Sequence, residues 1–241
     1  MNAHALAAVK TARYYTLGPA DGPLEGVGAA VWVACHGYGQ LARFFLRHFR
    51  VAETPGRLVV APEALSRFYL DGDGPGGPGR YERVAACWMT RDDREADIAD
   101  NVRYLDDVLV AACARAGADP LAIPLVGFGF SQGAATVARW GARSPLLARR
   151  ARRLHRLVLW GATLPPDLDP GAHRAWLGEA GLTLVAGDAD PYATPARVAA
   201  ETRRLAAAGL RARVVSYSGG HRLHAETLRR LAAGFLPAET P

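Results

Sequence analysis

The sequence predicts an α/β fold with a mostly parallel central sheet and helices on both faces. Short apolar runs alternate with longer amphipathic segments along the chain, which is the pattern of strands joined by helices. Some apolar runs, such as Ala29–Gly37, lack the alternation of a half-exposed strand and therefore suit a sheet covered on both sides. A chain of 241 residues accommodates one sizeable core, so we expect residues 1–241 to form a single domain without a large cap domain.

Strands and helices are expected in turn from one end of the chain to the other. The predicted strands cover Arg13–Gly18, Ala29–Gly37, Arg57–Glu63, Leu121–Gly129, Leu154–Thr163, Leu182–Pro191 and Leu210–His221. The predicted helices cover Leu41–Phe49, Thr90–Gly117, Ser131–Ser144, Ala172–Glu179, Thr194–Gly209 and Ala225–Leu236. The stretch Asp71–Arg80 is rich in glycine and proline and is predicted to be a surface loop.

Local signals predict where two of these helices begin and where one of them ends. Thr90 is expected to be the N-cap of the long helix, because acidic residues crowd the turns that follow it. Gly117 suits the C-terminal end of the same helix. Pro195 fits the first turn of a later helix, where its missing N–H costs nothing.

Composition argues against several kinds of partner. The formal net charge is +6, but Lys10 is the only lysine, so arginine is preferred along the whole chain, and the basic run Ala148–Arg156 has no interleaved aromatic residues. A solvated helix end explains that run better than a nucleic-acid surface, so no nucleic-acid partner is expected. The apolar runs are strand-sized, no signal peptide is recognisable, and the three cysteines form neither a disulfide framework nor a metal pair. We therefore expect no stable membrane insertion and a cytoplasmic location.

The stretch Leu125–Trp140 contains two overlapping glycine patterns. Gly127, Gly129 and Gly133 give G-x-G-x-x-x-G, close to a dinucleotide-binding loop, whereas Gly129 to Gly133 also spell G-x-S-x-G around Ser131. The second pattern is typical of a sharp strand-to-helix turn that presents a nucleophilic serine. Small residues on both sides are needed there because the backbone is strained and neighbouring elements pack closely.

An acid and a histidine follow the two later strands of the predicted sheet. Asp190 lies in the turn after one strand, where its carboxylate can orient a histidine ring, and His221 follows the last strand behind a glycine pair. Asp188 and His224 are the rivals. Asp190 is preferred because a proline follows it and the next helix begins soon after, and His221 because the chain is entering a helix by His224. The chain order Ser, Asp, His is that of the α/β-hydrolases.

A glycine loop after the second strand is the place for an oxyanion hole. An acyl-transfer enzyme needs two backbone N–H donors aimed at the developing oxyanion, and we expect them from Tyr38 and Gln132. His36, in the same loop, is interpreted as a buried structural histidine. Trp88 and Met89 precede the long helix and are candidates for a substrate pocket, with core packing as the equal alternative.

The motifs HGYG, GFSQG, GDADP and GGH, in this order, resemble the phospholipase/carboxylesterase family of α/β-hydrolases, which includes acyl-protein thioesterase-like enzymes. The resemblance runs from about Val31 to the closing helix. It implies an α/β-hydrolase fold and a serine hydrolase that acts on small-molecule carboxylic esters or thioesters, with no cofactor and no metal. On matching positions it implies Ser131 as nucleophile, Asp190 as orienting acid, His221 as general base, and Tyr38 and Gln132 as oxyanion donors.

Two departures from the family pattern leave the substrate open. Many members carry an acidic residue after the H-G-x-G loop, where this chain has Gln40, and the segments Asp71–Arg80 and Tyr81–Val102 look unlike the well-studied thioesterases. Monomer and homodimer both remain open.

Three other functions are weighed against an ester hydrolase. A small-peptide serine peptidase would use the same triad. A dinucleotide-dependent oxidoreductase would use the glycine loop, but Trp160 and Gly161 stand where its ribose-binding acid belongs. A non-catalytic binding protein on the same scaffold would usually have lost one triad member, and none is missing here.

Overall fold

A computed structural model describes residues 1–2, 4–19, 22–24, 28–70 and 83–234 of the chain. Within these residues the central sheet consists of β1 (Tyr14–Leu17), β2 (Ala30–Cys35), β3 (Arg57–Pro62), β6 (Leu125–Phe130), β7 (Arg156–Trp160), β8 (Leu182–Gly187) and β9 (Arg213–Tyr217). A separate two-stranded ribbon consists of β4 (Ser66–Tyr69) and β5 (Val84–Cys87). The helices are α1 (Ala42–Phe45), which continues as a 3₁₀ helix over Leu46–Ala52, α2 (Arg94–Arg115), α3 (Gln132–Arg143), α4 (Pro145–Ala148), α5 (Arg174–Glu179), α6 (Pro195–Ala207) and α7 (Ala225–Ala233).

The central sheet is parallel except at one edge. Its strand order is β1-β3-β2-β6-β7-β8-β9, and only β1 runs antiparallel to its neighbour, β3. The predicted fold class, a mostly parallel sheet, is therefore confirmed. No separate cap domain occurs in the part of the chain that the structure describes; the ribbon β4–β5 is the addition between β3 and α2.

The two faces of the sheet carry separate apolar cores, as the fully buried strands predict. Val31 and Val33 of β2 point to one face, where they pack with buried side chains of α2 to α6. Trp32 and Ala34 point to the other face, which is covered by α1, the 3₁₀ helix and α7. Helices on both faces explain why every residue of β2, β3, β6 and β8 is buried, without alternation.

Sheet register brings several strand ends to one place. Cys35 at the end of β2 pairs with Gly129, and Phe130 at the end of β6 pairs with Trp160 at the end of β7. Gly187 at the end of β8 pairs with Tyr217 at the end of β9. The loops that follow these strands therefore leave the sheet side by side at its carboxyl edge, where parallel sheets place their sites.

The start of the long helix differs from the prediction. α2 begins at Arg94 with Asp93 as its N-cap, whose φ of 48° is left-handed, and Thr90 lies outside the helix. The Thr90 hydroxyl donates to the carbonyl of Asp92, so it caps no helical N–H. At the other end the helix ends at Arg115 with Ala116 as its C-cap, and Gly117 follows with a φ of 58°, as its sequence predicts.

Other short elements were not predicted from the sequence. The strands of the ribbon have four residues each, too few for a recognisable alternation, and they pair in antiparallel register with Ser66 opposite Cys87. The predicted loop Asp71–Arg80 lies outside the described residues. The basic run after α3 is not wholly solvated, because Arg150 is buried and donates to the carbonyls of Pro120 and Ile123. None of the described helices is both long enough and apolar enough to cross a bilayer.

Candidate active site

Ser131 occupies a strained turn between β6 and α3. Its φ of 53° and ψ of −119° are rarely adopted by a residue with a side chain, and its N–H donates to the Trp160 carbonyl at 2.8 Å. The residue is the N-cap of α3, yet its hydroxyl accepts no capping hydrogen bond from the helix. A short polar side chain held in this conformation at a helix start agrees with the turn that the G-x-S-x-G pattern predicts.

The glycines around Ser131 allow this turn because protein backbone fills the space beside them. A Cβ at Gly129 would lie 2.3 Å from the carbonyl oxygen of Gly133, and one at Gly133 would lie 2.1 Å from that of Cys35. Gly127 differs, since a Cβ there would meet the side chains of Val137 and Leu154. Gly129 and Gly133 let α3 approach β6 and β2 closely, and Gly127 leaves room for side chains that pack between the sheet and the helix.

Asp190 and His221 form a hydrogen-bonded pair. Asp190 Oδ2 lies 2.7 Å from His221 Nδ1, and the side chains are 0% and 17% exposed respectively. The other carboxylate oxygen accepts the N–H groups of Tyr192 and Ala193 at 2.8 and 2.9 Å. Burial favours the neutral acid, but the hydrogen bonds from Ala193, His221 and Tyr192 outweigh it and hold the pKa of Asp190 below its ordinary value.

The rival residues have structural partners instead. Asp188 accepts the N–H of Gly219 at 2.9 Å and so joins the two loops that carry the pair. His224 is the N-cap of α7, where its ring accepts the N–H of Thr227, and it stacks on Tyr217 with an interplanar angle of 3°. Of the two acids and two histidines that the sequence offers, the structure brings Asp190 and His221 together.

Aromatic rings and a glycine surround the His221 ring. Phe130, next to Ser131, has its ring centroid 4.8 Å from that of His221, and Tyr192 contacts the same ring edge-on at 4.6 Å. A Cβ at Gly161 would lie 2.7 Å from His221 Cε1 and 3.3 Å from Asp190 Oδ2. The pair therefore packs directly over the first residue after β7, whose neighbour Trp160 accepts the Ser131 N–H.

The loop that carries His221 is held from below by two buried side chains. Trp160 Nε1 donates to the Arg222 carbonyl at 3.0 Å, and the Tyr217 hydroxyl lies 2.9 Å from the carbonyl of Gly220. These bonds fix the main chain on both sides of His221. They explain how an imidazole on a loop keeps one position beside the sheet edge.

The loop after β2 leaves one N–H group available in its centre. The N–H of Gly37 donates to Gln40 Oε1 at 2.8 Å, and that of Gly39 donates to the Ala86 carbonyl at 2.9 Å. The N–H of Tyr38 between them is bonded to none of the described residues. The N–H of Gln132, as the first residue of α3, has no partner within the helix. These are the two donors that the sequence analysis selects.

His36 is buried and takes no part in the acid–histidine pair. Its Nδ1 contacts the Gly37 carbonyl at 2.8 Å, and its Nε2 accepts the Ala64 N–H at 3.1 Å. Burial, opposed by the Gly37 carbonyl and by Glu63, lowers the pKa of His36 to about 4, so the ring is neutral at neutral pH. Its position agrees with the expected structural role.

The pocket prediction for Trp88 requires a correction, while Met89 is half-buried. Trp88 is 1% exposed within the core, so it packs and does not present its ring to a ligand. The Gln132 side chain accepts the Trp88 N–H at 3.0 Å and donates to the Met89 carbonyl at 2.9 Å. The Met89 sulfur accepts from Arg139 at 3.4 Å. This segment is therefore tied to the helix that begins after Ser131.

Three residues at this site were not singled out from the sequence. Gly161 makes room for the acid–histidine pair, and Phe130 and Tyr192 contact the histidine ring. A glycine directly after a strand end was the available signal for Gly161. The two aromatic residues flank predicted site residues, but only the folded loops show that both reach His221.

Comparisons with known proteins identify the fold. No protein-family model and no curated protein sequence matches this chain. Solved structures do match: acyl-protein thioesterase 2 of Zea mays at 21% identity, covering 93% of this chain and 100% of that one, with a TM-score of 0.63. A carboxylesterase from Mesorhizobium loti matches at 20% identity, covering 92% of this chain and 95% of that one, with a TM-score of 0.65. The Bacillus cereus carboxylesterase matches at 16% identity over 93% of each chain, with a TM-score of 0.62. The chain therefore has the α/β-hydrolase fold.

Proposed function

We propose that this protein is a serine hydrolase of the phospholipase/carboxylesterase type that cleaves carboxylic esters or thioesters through an acyl-enzyme on Ser131. One observation carries the proposal: a serine in a strained turn at a helix start lies at the sheet edge where a histidine is paired with a buried carboxylate. The esterase and thioesterase structures that share the fold support the same class of reaction.

In the proposed first step His221 removes the hydroxyl proton of Ser131 as the Oγ atom attacks the carbonyl carbon of the ester. The Asp190 carboxylate accepts the Nδ1–H of the ring, which leaves Nε2 free to take the proton, and it stabilises the imidazolium that forms. His221 then gives the proton to the departing alcohol or thiol. Water, activated by the same histidine, attacks the acyl-enzyme and releases the acid.

We assign the stabilisation of the negative charge that develops on the carbonyl oxygen to hydrogen bonds donated by the main-chain N–H groups of Tyr38 and Gln132. Both are available. The Tyr38 N–H is bonded to none of the described residues, whereas the N–H groups of Gly37 and Gly39 beside it have acceptors. The Gln132 N–H belongs to the first turn of a helix, where N–H groups have no partner within the helix. The N-terminal end of α3 adds a partial positive charge at the same place.

The surroundings of the glycines weaken the dinucleotide alternative. A Cβ placed on Gly129 or Gly133 would lie closer to main-chain atoms than van der Waals contact allows. The space beside the loop is therefore filled by protein and does not form an open cradle for a pyrophosphate. The position after β7, where a ribose-binding acid belongs, is Gly161, against which His221 packs. We further propose a single domain in a reducing cytoplasm, consistent with the free thiols of Cys35, Cys87 and Cys113.

The proposal is tested with a fluorophosphonate label and a panel of 4-nitrophenyl esters of graded acyl length, the matching thioesters and peptide 4-nitroanilides. We expect the wild type to be labelled and to hydrolyse esters, and Ser131→Ala to lose both while unfolding at the same temperature. Faster cleavage of anilides than of esters would favour the peptidase. Absence of labelling in a folded wild type would favour a non-catalytic binding protein, and turnover retained in Ser131→Ala would contradict the assignment.

A further inference from the structure

A cavity of about 420 Å³ opens directly beside the proposed oxyanion loop. It lies between that loop, α1 with its 3₁₀ continuation, and the ends of the ribbon β4–β5. Its described lining includes the basic residues Arg43, His48 and Arg83 and the apolar residues Leu41, Phe45 and Val84. This volume is in the range of small-molecule sites and would accept a short chain with a polar end group.

The charged groups among the described lining residues all carry the same sign. Arg43 and Arg83 are cations, His48 is a third basic group, and no described lining residue is acidic. Burial lowers the pKa of His48, so the two guanidinium groups supply the charge at neutral pH. Neither arginine has a carboxylate partner among the described residues, in contrast to Arg94, Arg139 and Arg143, which all pair with Asp167.

The remaining lining suits a ligand that is partly apolar. Arg43 lies over the Phe44 ring, with Cζ 4.6 Å from the ring centroid, which restricts its guanidinium without using its N–H groups. Leu41 and Phe45 are buried and provide an apolar wall. Gln40 uses its Oε1 to accept the Gly37 N–H, which leaves its NH₂ group as a neutral donor.

The cavity adjoins the loop that carries the proposed oxyanion donor Tyr38. Gly39 and Gln40 follow Tyr38, whose N–H is the proposed oxyanion donor. A Cβ at Gly37 would lie 2.9 Å from the Phe130 ring, and Phe130 precedes Ser131. Within the proposed mechanism, a substrate whose carbonyl oxygen accepts the Tyr38 N–H binds against the loop that forms one wall of the cavity.

From this arrangement we propose that the cavity is a subsite for an anionic group, a carboxylate or a phosphate, carried by the ester substrate at a distance from its scissile bond. Guanidinium groups bind both anions through paired N–H donors, and a concave site lined by one sign of charge concentrates the opposite sign. This inference rests on the proposed ester hydrolysis and names the chemical class of its substrate.

Matched pairs of esters test the subsite. On the acyl half, the mono-4-nitrophenyl ester of hexanedioic acid is compared with 4-nitrophenyl hexanoate; on the alcohol half, 4-carboxyphenyl butanoate is compared with 4-carbamoylphenyl butanoate. We expect the wild type to prefer the anionic member of at least one pair by kcat/KM. Two partly exposed charge contacts together change kcat/KM by about tenfold. Arg43→Gln/Arg83→Gln should therefore lower the ratio of kcat/KM for the anionic ester to that for its neutral partner about tenfold, mainly through KM.

Arg47→Gln is the control, because Arg47 also lies over the Phe44 ring but does not line the cavity, and the substitution removes one charge from the same segment. We expect it to keep the wild-type preference. Equal preference in the double variant and in Arg47→Gln, or no preference in the wild type, would overturn the subsite. Turnover of the neutral esters, lost in Ser131→Ala, separates that failure from a failure of the proposed function.

A second arm separates a substrate group from a lipid headgroup. Binding to phosphatidylglycerol/phosphatidylcholine vesicles is measured by co-sedimentation for the wild type, Arg43→Gln/Arg83→Gln and Arg47→Gln. We expect the double variant to bind the vesicles as Arg47→Gln does. A selective loss of vesicle binding, with unchanged preference among the soluble esters, would assign the two arginines to a membrane surface and overturn the substrate subsite.

Discussion

Trp88 Nε1 lies 2.8 Å from the main-chain oxygen of His36 and donates a hydrogen bond to it. The same tryptophan gives its main-chain N–H to Gln132 Oε1 and accepts Asn101 Nδ2 on its carbonyl. One buried residue thus joins the loop of Tyr38, the start of α3 and the long helix α2. The relative position of the two proposed oxyanion donors depends on it.

Trp88→Phe should slow catalysis without weakening substrate binding. The substitution keeps an aromatic ring in the core but removes the N–H that restrains the His36 carbonyl, so the Tyr38 N–H becomes less well aligned. We expect kcat to fall about tenfold, with KM within about twofold of the wild type, because misalignment of one donor costs less than its removal. Steady-state kinetics on 4-nitrophenyl butanoate measures both constants.

The control for this change is Trp176→Phe. Trp176 is also buried, but its Nε1 has no hydrogen-bond partner among the described residues. The same loss of indole volume there should leave kcat unchanged. A similar fall in kcat for both variants would show that Trp88 acts through general stability.

Ser131→Gly should be more stable than Ser131→Ala. Both variants lack the hydroxyl, but only alanine keeps a Cβ at a φ of 53° and ψ of −119°, where strain costs about 1–3 kcal/mol. Glycine loses about 0.5–1 kcal/mol more conformational entropy on folding, which leaves a net gain of about 1 kcal/mol in the free energy of unfolding. Urea denaturation measures the difference.

An exposed helical position provides the comparison for that pair. Ala206 lies near the end of α6, and Ala206→Gly should lower the free energy of unfolding by about 1 kcal/mol. Opposite signs at the two positions would identify backbone strain at Ser131. A Ser131→Gly variant less stable than Ser131→Ala would exclude it.

Tyr192→Ala should impair the histidine without touching the acid that orients it. The Tyr192 ring contacts His221 edge-on at 4.6 Å, while its main-chain N–H, kept in any variant, donates to Asp190. An aromatic contact of this kind is worth about 0.5–1.5 kcal/mol, so kcat/KM for a short neutral ester should fall about threefold to tenfold. Tyr192→Phe should retain the wild-type value, since the contact does not use the hydroxyl. Equal losses in both variants would instead assign a role to the phenolic oxygen.

Asp167 should contribute stability that disappears in acid. Hydrogen bonding to Arg139, against the opposing effect of burial, and the charges of Arg139 and Arg94 lower the pKa of Asp167 to about 2. A folded-state pKa below the unfolded value of about 3.9 means that the stabilisation is complete above about pH 4 and is lost as the pH falls towards 2. After solvent screening we expect Asp167→Asn to cost about 1 kcal/mol at pH 7 and less at pH 3.

Urea unfolding at both pH values checks this expectation, with Asp107→Asn as the control. Asp107 is exposed and has no ion pair among the described residues, so its substitution should change stability by less than about 0.5 kcal/mol at either pH. A cost for Asp167→Asn that does not change with pH would mean that the carboxylate acts through geometry and not through charge.

The sheet and most helices could be predicted because their signals are local. Continuous apolar runs identify β2 and β6 as fully buried strands, and Thr194 followed by Pro195 marks the start of α6, where Thr194 Oγ1 accepts the Arg197 N–H. The predicted start of α2 at Thr90 was wrong, because the helix begins after Asp93, whose left-handed conformation the acidic sequence does not reveal.

The site was less accessible from the sequence because its contacts join distant loops. In the sequence, Asp190 is preferred over Asp188 only because a proline and a helix start follow it. The folded loops show that the Asp188 carboxylate accepts the Gly219 N–H instead of a histidine. Trp88 shortly precedes the predicted long helix, and that position suggests a pocket as readily as a core. Whether its ring points to a ligand or to the His36 carbonyl depends on packing between α2 and the Tyr38 loop, which no local pattern records.

Gln132 has consequences for redesigning this protein towards bulkier substrates. Its amide side chain holds the segment at Trp88 and Met89, while its main-chain N–H is a proposed oxyanion donor. Substitutions of the Gln132 side chain will therefore lower the rate by displacing its own main-chain N–H, and a mutational scan will misread the side chain as an electrophilic group. Leu70 and Val84 line the proposed subsite and belong to neither the proposed triad nor the proposed oxyanion hole, so selectivity is better varied there than at Gln132.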